Sequence, residues 1–210
     1  CRLVGSEMCI RDSHYTAHKV RWFWATHVVH HASEHMNFTT AGRQSTLYAF
    51  SGLFLFFLPA ALLGFAPEWG LFALAVNLSY QWFIHTQWVK KLPRAIEFIF
   101  NTPSHHRVHH GRNPEYIDRN FGGTLIIWDR LFGTFVEERE DLPPEYGITR
   151  QIHSYNPVTL TLHEFIALFR DMAKPGPLWL RLKHLWATPE WQRPEKEVEN
   201  GKVGSFTAPG

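Results

Sequence analysis

The sequence predicts an all-α integral membrane fold, in which a hairpin of two transmembrane helices lies beneath a cytoplasmic, histidine-rich helical cap. Two apolar runs, at about residues 46–66 and 69–89, predict the hairpin because neither contains a charged residue. Each run has about 20 residues, enough for a helix to cross a hydrocarbon layer of about 30 Å. Three clusters of histidine predict the cap, because two of them precede the first run and the third follows the second run.

The link between the two runs predicts a tight hairpin, because it is only Pro67 and Glu68. Arg43 precedes the first run, and two lysines at 90 and 91 follow the second. Positive residues favour the cytoplasmic side of a membrane. We therefore expect both ends of the hairpin, and the three histidine clusters, on the cytoplasmic face. The alternative is a hairpin buried in a soluble protein, for which two charge-free runs of this length are unusual.

Composition divides the chain of 210 residues into three segments. Residues 1–13 show no helical period and no signal-peptide pattern, and Met8–Ser13 resembles the translated end of a sequencing adaptor. We interpret 1–13 as a foreign segment, 14–188 as one domain and 189–210 as a polar, disordered tail. The chain would then be an N-terminally truncated fragment. Both cysteines lie in the first segment, so the domain is predicted to have no thiolate metal site.

Two further helices are predicted outside the hairpin. Leu92–Phe100 is typical of a short interfacial helix, and the apolar period of Thr159–Ala173 predicts an amphipathic helix. The second helix should end at Lys174–Pro177, because these residues include two prolines and a glycine. We expect His163 and His184 to be solvated. The net charge of +2 is too small to indicate nucleic-acid binding.

Eight histidines have the spacing of metal ligands on helices. The clusters are His14 and His18, then His27, His30 and His31, and then His106, His109 and His110. Residues three or four positions apart share one helix face. His18 and His27 are nine residues apart, which is about two and a half turns of a straight helix. The first two clusters would therefore point in opposite directions on one helix. We therefore expect a break near Lys19–Trp24.

Eight imidazoles exceed the needs of one metal ion, since a zinc site uses three or four protein ligands. The clusters therefore predict two ions held close together. Within the second apolar run, Asn77, Gln81 and His85 form a polar stripe at i, i+4 and i+8. Polar groups in a membrane helix usually mark a site, so we expect His85 to be a ninth ligand. The alternative is a histidine that is hydrogen-bonded to a neighbouring helix.

Five stretches of the chain carry a resemblance to a known family. His14–His18, Arg21–Glu34 and Thr102–Gly111 are similar to the three histidine boxes of the fatty acid hydroxylase/sterol desaturase superfamily of membrane di-iron oxygenases. Tyr116–Gly123 and Ile127–Thr134 also match. The resemblance is closest to the alkylglycerol-monooxygenase-like and bacterial sterol-desaturase-like branch, and it implies a multi-pass protein of a bacterial inner membrane.

This resemblance implies a non-haem di-iron enzyme that uses O2 to hydroxylate or desaturate a lipid, such as a sterol, a fatty acyl chain or an ether lipid. Its cofactors would be two histidine-ligated iron ions, and its electrons would come from a separate protein or a pterin. The nine histidines above are the implied ligands, and no catalytic residue is predicted beyond the metal centre. Weaker candidates for orienting the ligands are His35, His105, Asn120, Asp129 and His153.

Two other functions fit a histidine-rich membrane protein. A metal transporter or metal-binding protein should place ligands along the depth of several spans, whereas these clusters flank the predicted spans on one side. A zinc hydrolase needs a general base beside its metal, and the motif His-Glu-x-x-His does not occur in the sequence. The clusters therefore favour the oxidative enzyme.

Overall fold

The computed structural model describes residues 2–64 and 66–194, and every regular element in these ranges is helical. Strand-like pairing is limited there to three isolated bridges. The predicted all-α class is therefore confirmed. Residues 195–210 of the predicted disordered tail lie outside the described residues. The α-helices are α1 (Arg2–Lys19), α2 (Arg21–His31), α3 (Phe38–Ala41), α4 (Leu58–Leu62), α5 (Pro67–Ile84), α6 (Arg94–Ile99), α7 (Pro103–His109), α8 (Ile127–Leu131), α9 (Pro157–Ala173) and α10 (Leu178–Lys183).

The break between the first two histidine clusters lies at Val20. Helix α1 ends at Lys19 and α2 begins at Arg21, while Val20 is extended, with φ −115° and ψ 117°. The predicted break near Lys19–Trp24 is therefore confirmed. Because the helix is interrupted here, the histidines of α1 and α2 can face the same centre.

Residues 2–13, which the sequence suggests are foreign, form the first part of α1. Glu7 accepts hydrogen bonds from the Asn77 amide at 2.9 Å and from the Thr124 backbone N–H at 3.0 Å. The Arg11 guanidinium donates to the Thr134 hydroxyl at 2.9 Å. This segment thus packs against the rest of the domain, and its foreign origin stays a prediction.

The predicted transmembrane helix over residues 46–66 is wrong, because this run is not one helix. Gly52 has a left-handed backbone, with φ +91°, and Gly64 has φ +83°. An α-helix needs negative φ at every residue, so each glycine interrupts it. The run instead contains two short 3₁₀ segments, Tyr48–Phe50 and Leu53–Phe57, followed by α4.

The second predicted span, residues 69–89, corresponds largely to α5. Pro67 is the first residue of this helix, a position where a missing backbone N–H is tolerated. Among residues 2–64 and 66–194, we find no helix whose length and apolar character together would suffice to cross a membrane. Large apolar side chains of both predicted spans are exposed, including Phe54, Leu62 and Phe83.

The polar stripe on α5 faces the protein interior. Asn77 and His85 are almost fully buried, with 1% and 2% of their surfaces exposed. The Gln81 amide donates to the Asn77 side-chain oxygen, so neighbouring members of the stripe are bonded to each other. His85, which directly follows the last residue of α5, therefore lies in the protein interior.

A buried arginine at the start of α2 links this helix to α9 and to the residue that follows α10. The Arg21 guanidinium lies 2.8 Å from Glu164 and 2.8 Å from Asp171, both on α9, and 3.2 Å from His184 Nδ1. The Arg193 guanidinium donates to the other ring nitrogen of His184 at 3.0 Å. The expectation that His184 is solvated is therefore wrong, because two arginines enclose it. The predicted amphipathic helix over Thr159–Ala173 is confirmed as α9.

Apolar packing also holds α2 and the residue that follows it. Val28, Val29 and Ala32 pack against Ile148 and Leu160 in one buried cluster. Helix α2 is thus fixed by apolar contacts as well as by Arg21, and both constraints orient the histidines that it carries.

The close approach at Gly122 predicts a strong effect of one added methyl group. A Cβ at this position would lie 2.6 Å from the Leu125 carbonyl oxygen and 3.0 Å from an Asp129 oxygen. We expect Gly122→Ala to lower the free energy of unfolding by about 1–3 kcal/mol, because the backbone must move. Thermal unfolding in detergent measures this. Gly70→Ala is the matched control, since its nearest neighbour would be 3.9 Å away. An equally stable Gly122→Ala variant would contradict the packing described.

Candidate metal centre

The nine histidines predicted as metal ligands all meet at one place in the fold. They form two groups, within each of which the available ligand atoms lie within 4.8 Å of one another. The five-histidine group is His14, His18, His27, His31 and His109, and the four-histidine group is His30, His85, His106 and His110. Their role as ligands stays a prediction, but their convergence is a feature of the structure.

Helices α1, α2 and α7 build the five-histidine group. His27 Nε2 lies 3.1 Å from His14 Nε2 and 3.1 Å from His31 Nε2. The His109 ring lies 4.4 Å from the His14 ring and 4.9 Å from the His18 ring, measured between centroids. Three separate helices therefore contribute to one cluster of imidazole nitrogens.

The four-histidine group joins α2 and α7 to the end of α5. His85 Nε2 lies 2.9 Å from His106 Nε2 and 3.2 Å from His30 Nε2. The His110 ring lies 4.6 Å from the His30 ring. His85 is thus central to this group, although it lies in none of the three sequence clusters.

The two groups adjoin, and each of two sequence clusters is divided between them. In α2, His27 and His31 belong to the five-histidine group, whereas His30 belongs to the other. The stacked rings of His31 and His110, 4.4 Å apart and 19° from parallel, bridge the groups. Adjacent residues on a helix point about 100° apart, so one His-x-x-His-His motif can serve two neighbouring ions.

Burial favours the neutral, metal-binding form of seven of these imidazoles by lowering their pKa. Desolvation, with a further contribution from His18, lowers the pKa of His14 to about 3. Burial and the neighbouring imidazoles also lower the pKa of six other members, namely His27, His30, His31, His106, His109 and His110. A neutral ring has one unprotonated nitrogen, and this is the atom that a metal ion needs.

The nitrogen positions fit metal ions better than mutual hydrogen bonds. His14 Nδ1 donates to the Phe121 carbonyl oxygen at 2.9 Å, so Nε2 of the neutral ring carries no proton. A single proton on His27 Nε2 cannot make two good hydrogen bonds, to His14 and to His31. Two nitrogens that bound the same ion, each at about 2.1 Å, would lie roughly 3 to 3.5 Å apart, in the range of these contacts.

Several ring nitrogens are also buried without a hydrogen-bond partner. They include Nε2 of His18, His109 and His110. An unpaired buried polar atom is costly, by about 1–3 kcal/mol, and such atoms therefore call for a ligand. The donor set, imidazole without thiolate, suits zinc, copper, iron or nickel.

The loop of residues 118–123, which we call the carbonyl loop, contacts three rings of the five-histidine group on their Nδ1 side. Its Phe121 carbonyl accepts from His14 Nδ1, and its Arg119 carbonyl accepts from His109 Nδ1 at 2.9 Å. Asp118, at the start of the loop, lies 3.4 Å from His18 Nδ1. Such contacts fix the tautomer and direction of a metal-binding ring. The sequence did not predict these roles, although Tyr116–Gly123 matches the family motif.

Asn120 and Asp129 support the carbonyl loop rather than the rings themselves. The Asn120 amide donates to the carbonyls of His105 and Val136, at 3.1 and 2.8 Å. Asp129, which is fully buried, accepts from the backbone N–H groups of Phe121 at 2.9 Å and Gly122 at 2.6 Å. Both residues thus act on the histidine rings only through the backbone. Asp118 and Asn120 have φ of +59° and +56°, a conformation that Asp and Asn tolerate better than most residues.

The other three candidates for orienting ligands belong to neither histidine group. His105 is buried, but its Nε2 lies 2.8 Å from Glu97, and the ring belongs to neither histidine group. His35 is exposed. The exposed His153 ring lies 2.9 Å from Glu34. The structure therefore does not bring His35 or His153 to the centre.

Arg107, between two candidate ligands in the sequence, ties α7 to the segment after α5. Its guanidinium donates to both Glu138 oxygens, at 2.7 and 2.6 Å, and to the Thr86 carbonyl at 3.0 Å. This arginine therefore fixes His106 relative to His85. Its position within His-His-Arg-Val-His-His was visible in the sequence, but its partners were not.

The part of the chain that carries the nine histidines matches a known protein family. Residues 2–134, which include all nine histidines, match the model of the fatty acid hydroxylase family. The chain is 45% identical over 166 residues to the alkylglycerol monooxygenase of Xenopus tropicalis, covering 78% of this chain and 36% of the relative. It is 42% identical over 188 residues to that of Danio rerio, covering 90% and 41%.

A bacterial relative is more distant. The ornithine lipid hydroxylase OlsE of Rhizobium tropici is 29% identical over 150 residues, covering 71% of this chain and 45% of the relative. The chain thus spans 36% to 45% of the length of these three relatives. No solved structure matches it.

The division into two groups predicts a stepwise loss of metal. We expect about two metal ions per chain, one for each histidine group. His106→Ala and His18→Ala should each lower the content to about one ion, because they act on different groups. Mass spectrometry of the metal content after gentle purification measures this. His153→Ala should retain both ions, since this ring is on the surface. Loss of both ions in each single variant would contradict independent sites.

Asp129 contacts the backbone of the carbonyl loop and none of the histidine rings, yet we expect it to affect metal affinity, because the loop holds two of these rings. Asp129→Asn loses an acceptor for the Phe121 and Gly122 N–H groups while keeping the shape of the side chain. We expect metal affinity to fall about 10- to 100-fold, as for other supporting groups of metal sites. Competition with a chelator measures it. The exposed Asp141→Asn variant is the control. Unchanged affinity in Asp129→Asn would show that the loop does not orient the rings.

Proposed function

Because the chain belongs to the fatty acid hydroxylase family, we propose that the complete protein is an O2-dependent lipid hydroxylase with two histidine-bound iron ions. The observation that carries this proposal is the meeting of nine imidazoles, eight of them buried, in two adjoining groups. In the reaction, a C–H bond of the lipid becomes C–OH and the second oxygen atom of O2 becomes water. This consumes two protons and two electrons, which a separate donor supplies.

The two histidine groups are the proposed iron sites. The five-histidine group would hold one ion and the four-histidine group the other. When bound, the pair of ions would supply the activation of O2 that the oxidation of an unactivated C–H bond requires. The chain's own residues hold the rings in place and bury most of them, which limits the access of water.

We propose an ether lipid as the first substrate class to examine. The two relatives with the higher identities reported above are alkylglycerol monooxygenases, and the more distant one is an ornithine lipid hydroxylase. All three names describe oxygen insertion, so hydroxylation is favoured over desaturation. Sterols and fatty acyl lipids belong in the same substrate panel as alternatives.

The exposed apolar side chains of residues 46–64 and 66–89 support contact with a membrane. Phe50, Leu63, Leu71 and Trp88 each have at least two thirds of their surface exposed. Large apolar patches on a protein surface mark interaction sites. We propose that this surface lies in a lipid bilayer or its interface. The side of the membrane and the bacterial location stay predictions. The electron donor, either a separate protein or a pterin, also stays a prediction.

A metal-binding or transport protein is the alternative function. A transport path needs ligands at successive depths, whereas these histidines form one buried cluster. Stable binding of two ions without any lipid oxidation would favour the alternative. Export of metal from cells that express the complete protein would also favour it.

Oxygen consumption tests the proposed function. The complete protein, loaded with iron and given a reductant, should consume O2 when a 1-O-alkylglycerol is added, and mass spectrometry should find one oxygen atom from O2 in the product. His106→Ala should abolish this, because it removes a proposed ligand, and His153→Ala should not. The absence of lipid-dependent consumption across ether lipids, sterols and fatty acyl lipids would overturn the proposal.

A further inference from the structure

An open cleft of about 400 Å³ reaches the four-histidine group. We call it the apolar cleft. Its walls are the segment around α3, residues 35–39, and the segment after α5, residues 85–88. The deepest parts are Met36, His85 and Thr86, which are buried, while Phe38 and Trp88 at the rim are exposed. The cleft volume lies within the usual range for sites that bind small molecules.

The character of the lining suits an alkyl chain. None of the described residues that line this cleft is Asp, Glu, Lys or Arg. Met36 at the base and Phe38 and Trp88 at the rim supply apolar surface, and Met adapts its shape readily to a flexible ligand. Phe83 and Val89, which flank the wall segment 85–88 in the sequence, are also exposed apolar residues.

The second opening to the centre has a different character. It adjoins His18, His31 and His109 of the five-histidine group and has a volume of about 60 Å³. Arg112, Asp118 and Glu190 are among its lining residues. A small crevice with three charged side chains suits water or another polar species and disfavours an alkyl chain.

We infer that the apolar cleft receives the alkyl chain of the lipid and brings it to the four-histidine group beside His85. This inference rests on the proposed function. It distinguishes the two metal sites, because the C–H bond that is oxidised would meet the four-histidine group. Polar side chains at the rim, such as Asn37 and Gln87, lie where the head of the lipid would stay outside the cleft.

The inference predicts that residues of the cleft set the preferred chain length. Thr39→Trp narrows the rim and should lower kcat/KM for long-chain 1-O-alkylglycerols relative to short ones by about tenfold, the effect of a methylene or two in an apolar pocket. Phe38→Ala widens the rim and should shift the preference towards longer or bulkier chains. The matched controls are Thr159→Trp and Phe169→Ala, which change the same residue types on the exposed surface of α9.

The experiment separates failure of this inference from failure of the proposed function. The unmodified protein is first assayed with a ladder of chain lengths, and if it oxidises none of the lipids, the proposed function fails. If it is active but both cleft variants keep its chain-length profile, the inference is overturned. Iron content is measured for each variant. A changed profile with unchanged iron content supports the inference, whereas a uniform loss of activity with lost iron, for both variants, indicates a structural role and contradicts it.

Discussion

The structure depends on the burial of many imidazole rings in one small volume. Removing a polar ring from water is unfavourable unless its nitrogens find partners, and here several Nε2 atoms have none. Neutral rings satisfy the requirement only in part, because one nitrogen of each still needs a donor or an ion. A bound metal ion would supply that missing partner, and it would link the helices that carry the rings. The folding of this domain and the loading of its metal are therefore expected to be coupled.

The rest of the chain can be understood as a scaffold for this cluster. Arg21 holds α2 from one side, and Arg107 holds α7 against the segment after α5. The carbonyl loop presents backbone oxygens to His14 and His109, while Asp129 fixes the loop itself. Because these groups act through hydrogen bonds to the backbone, small changes far from the nitrogens can still move a ring.

The sequence predicted which histidines converge more reliably than it predicted their surroundings. Helical spacing and repeated motifs identified all nine histidines that converge, including His85, and the opposite faces of one helix predicted the break at Val20. The sequence could not predict that His30 and His31 belong to different groups, because this depends on how the helices cross, which spacing alone does not specify. The prediction of one continuous helix over 46–66 was wrong. It rested on apolar composition, whereas the left-handed backbone at Gly52 and Gly64 interrupts the helix. His184 was misjudged because its arginine partners are distant in sequence.

Anomalous X-ray diffraction at the iron edge tests the central claim most directly. It would use crystals of the complete protein loaded with iron, and it requires no substrate or electron donor. We predict two separate anomalous peaks, one bordered by each histidine group. A single peak shared by all the rings, or iron bound elsewhere, would contradict the account. The predicted borders are His14, His18, His27, His31 and His109 for one peak, and His30, His85, His106 and His110 for the other.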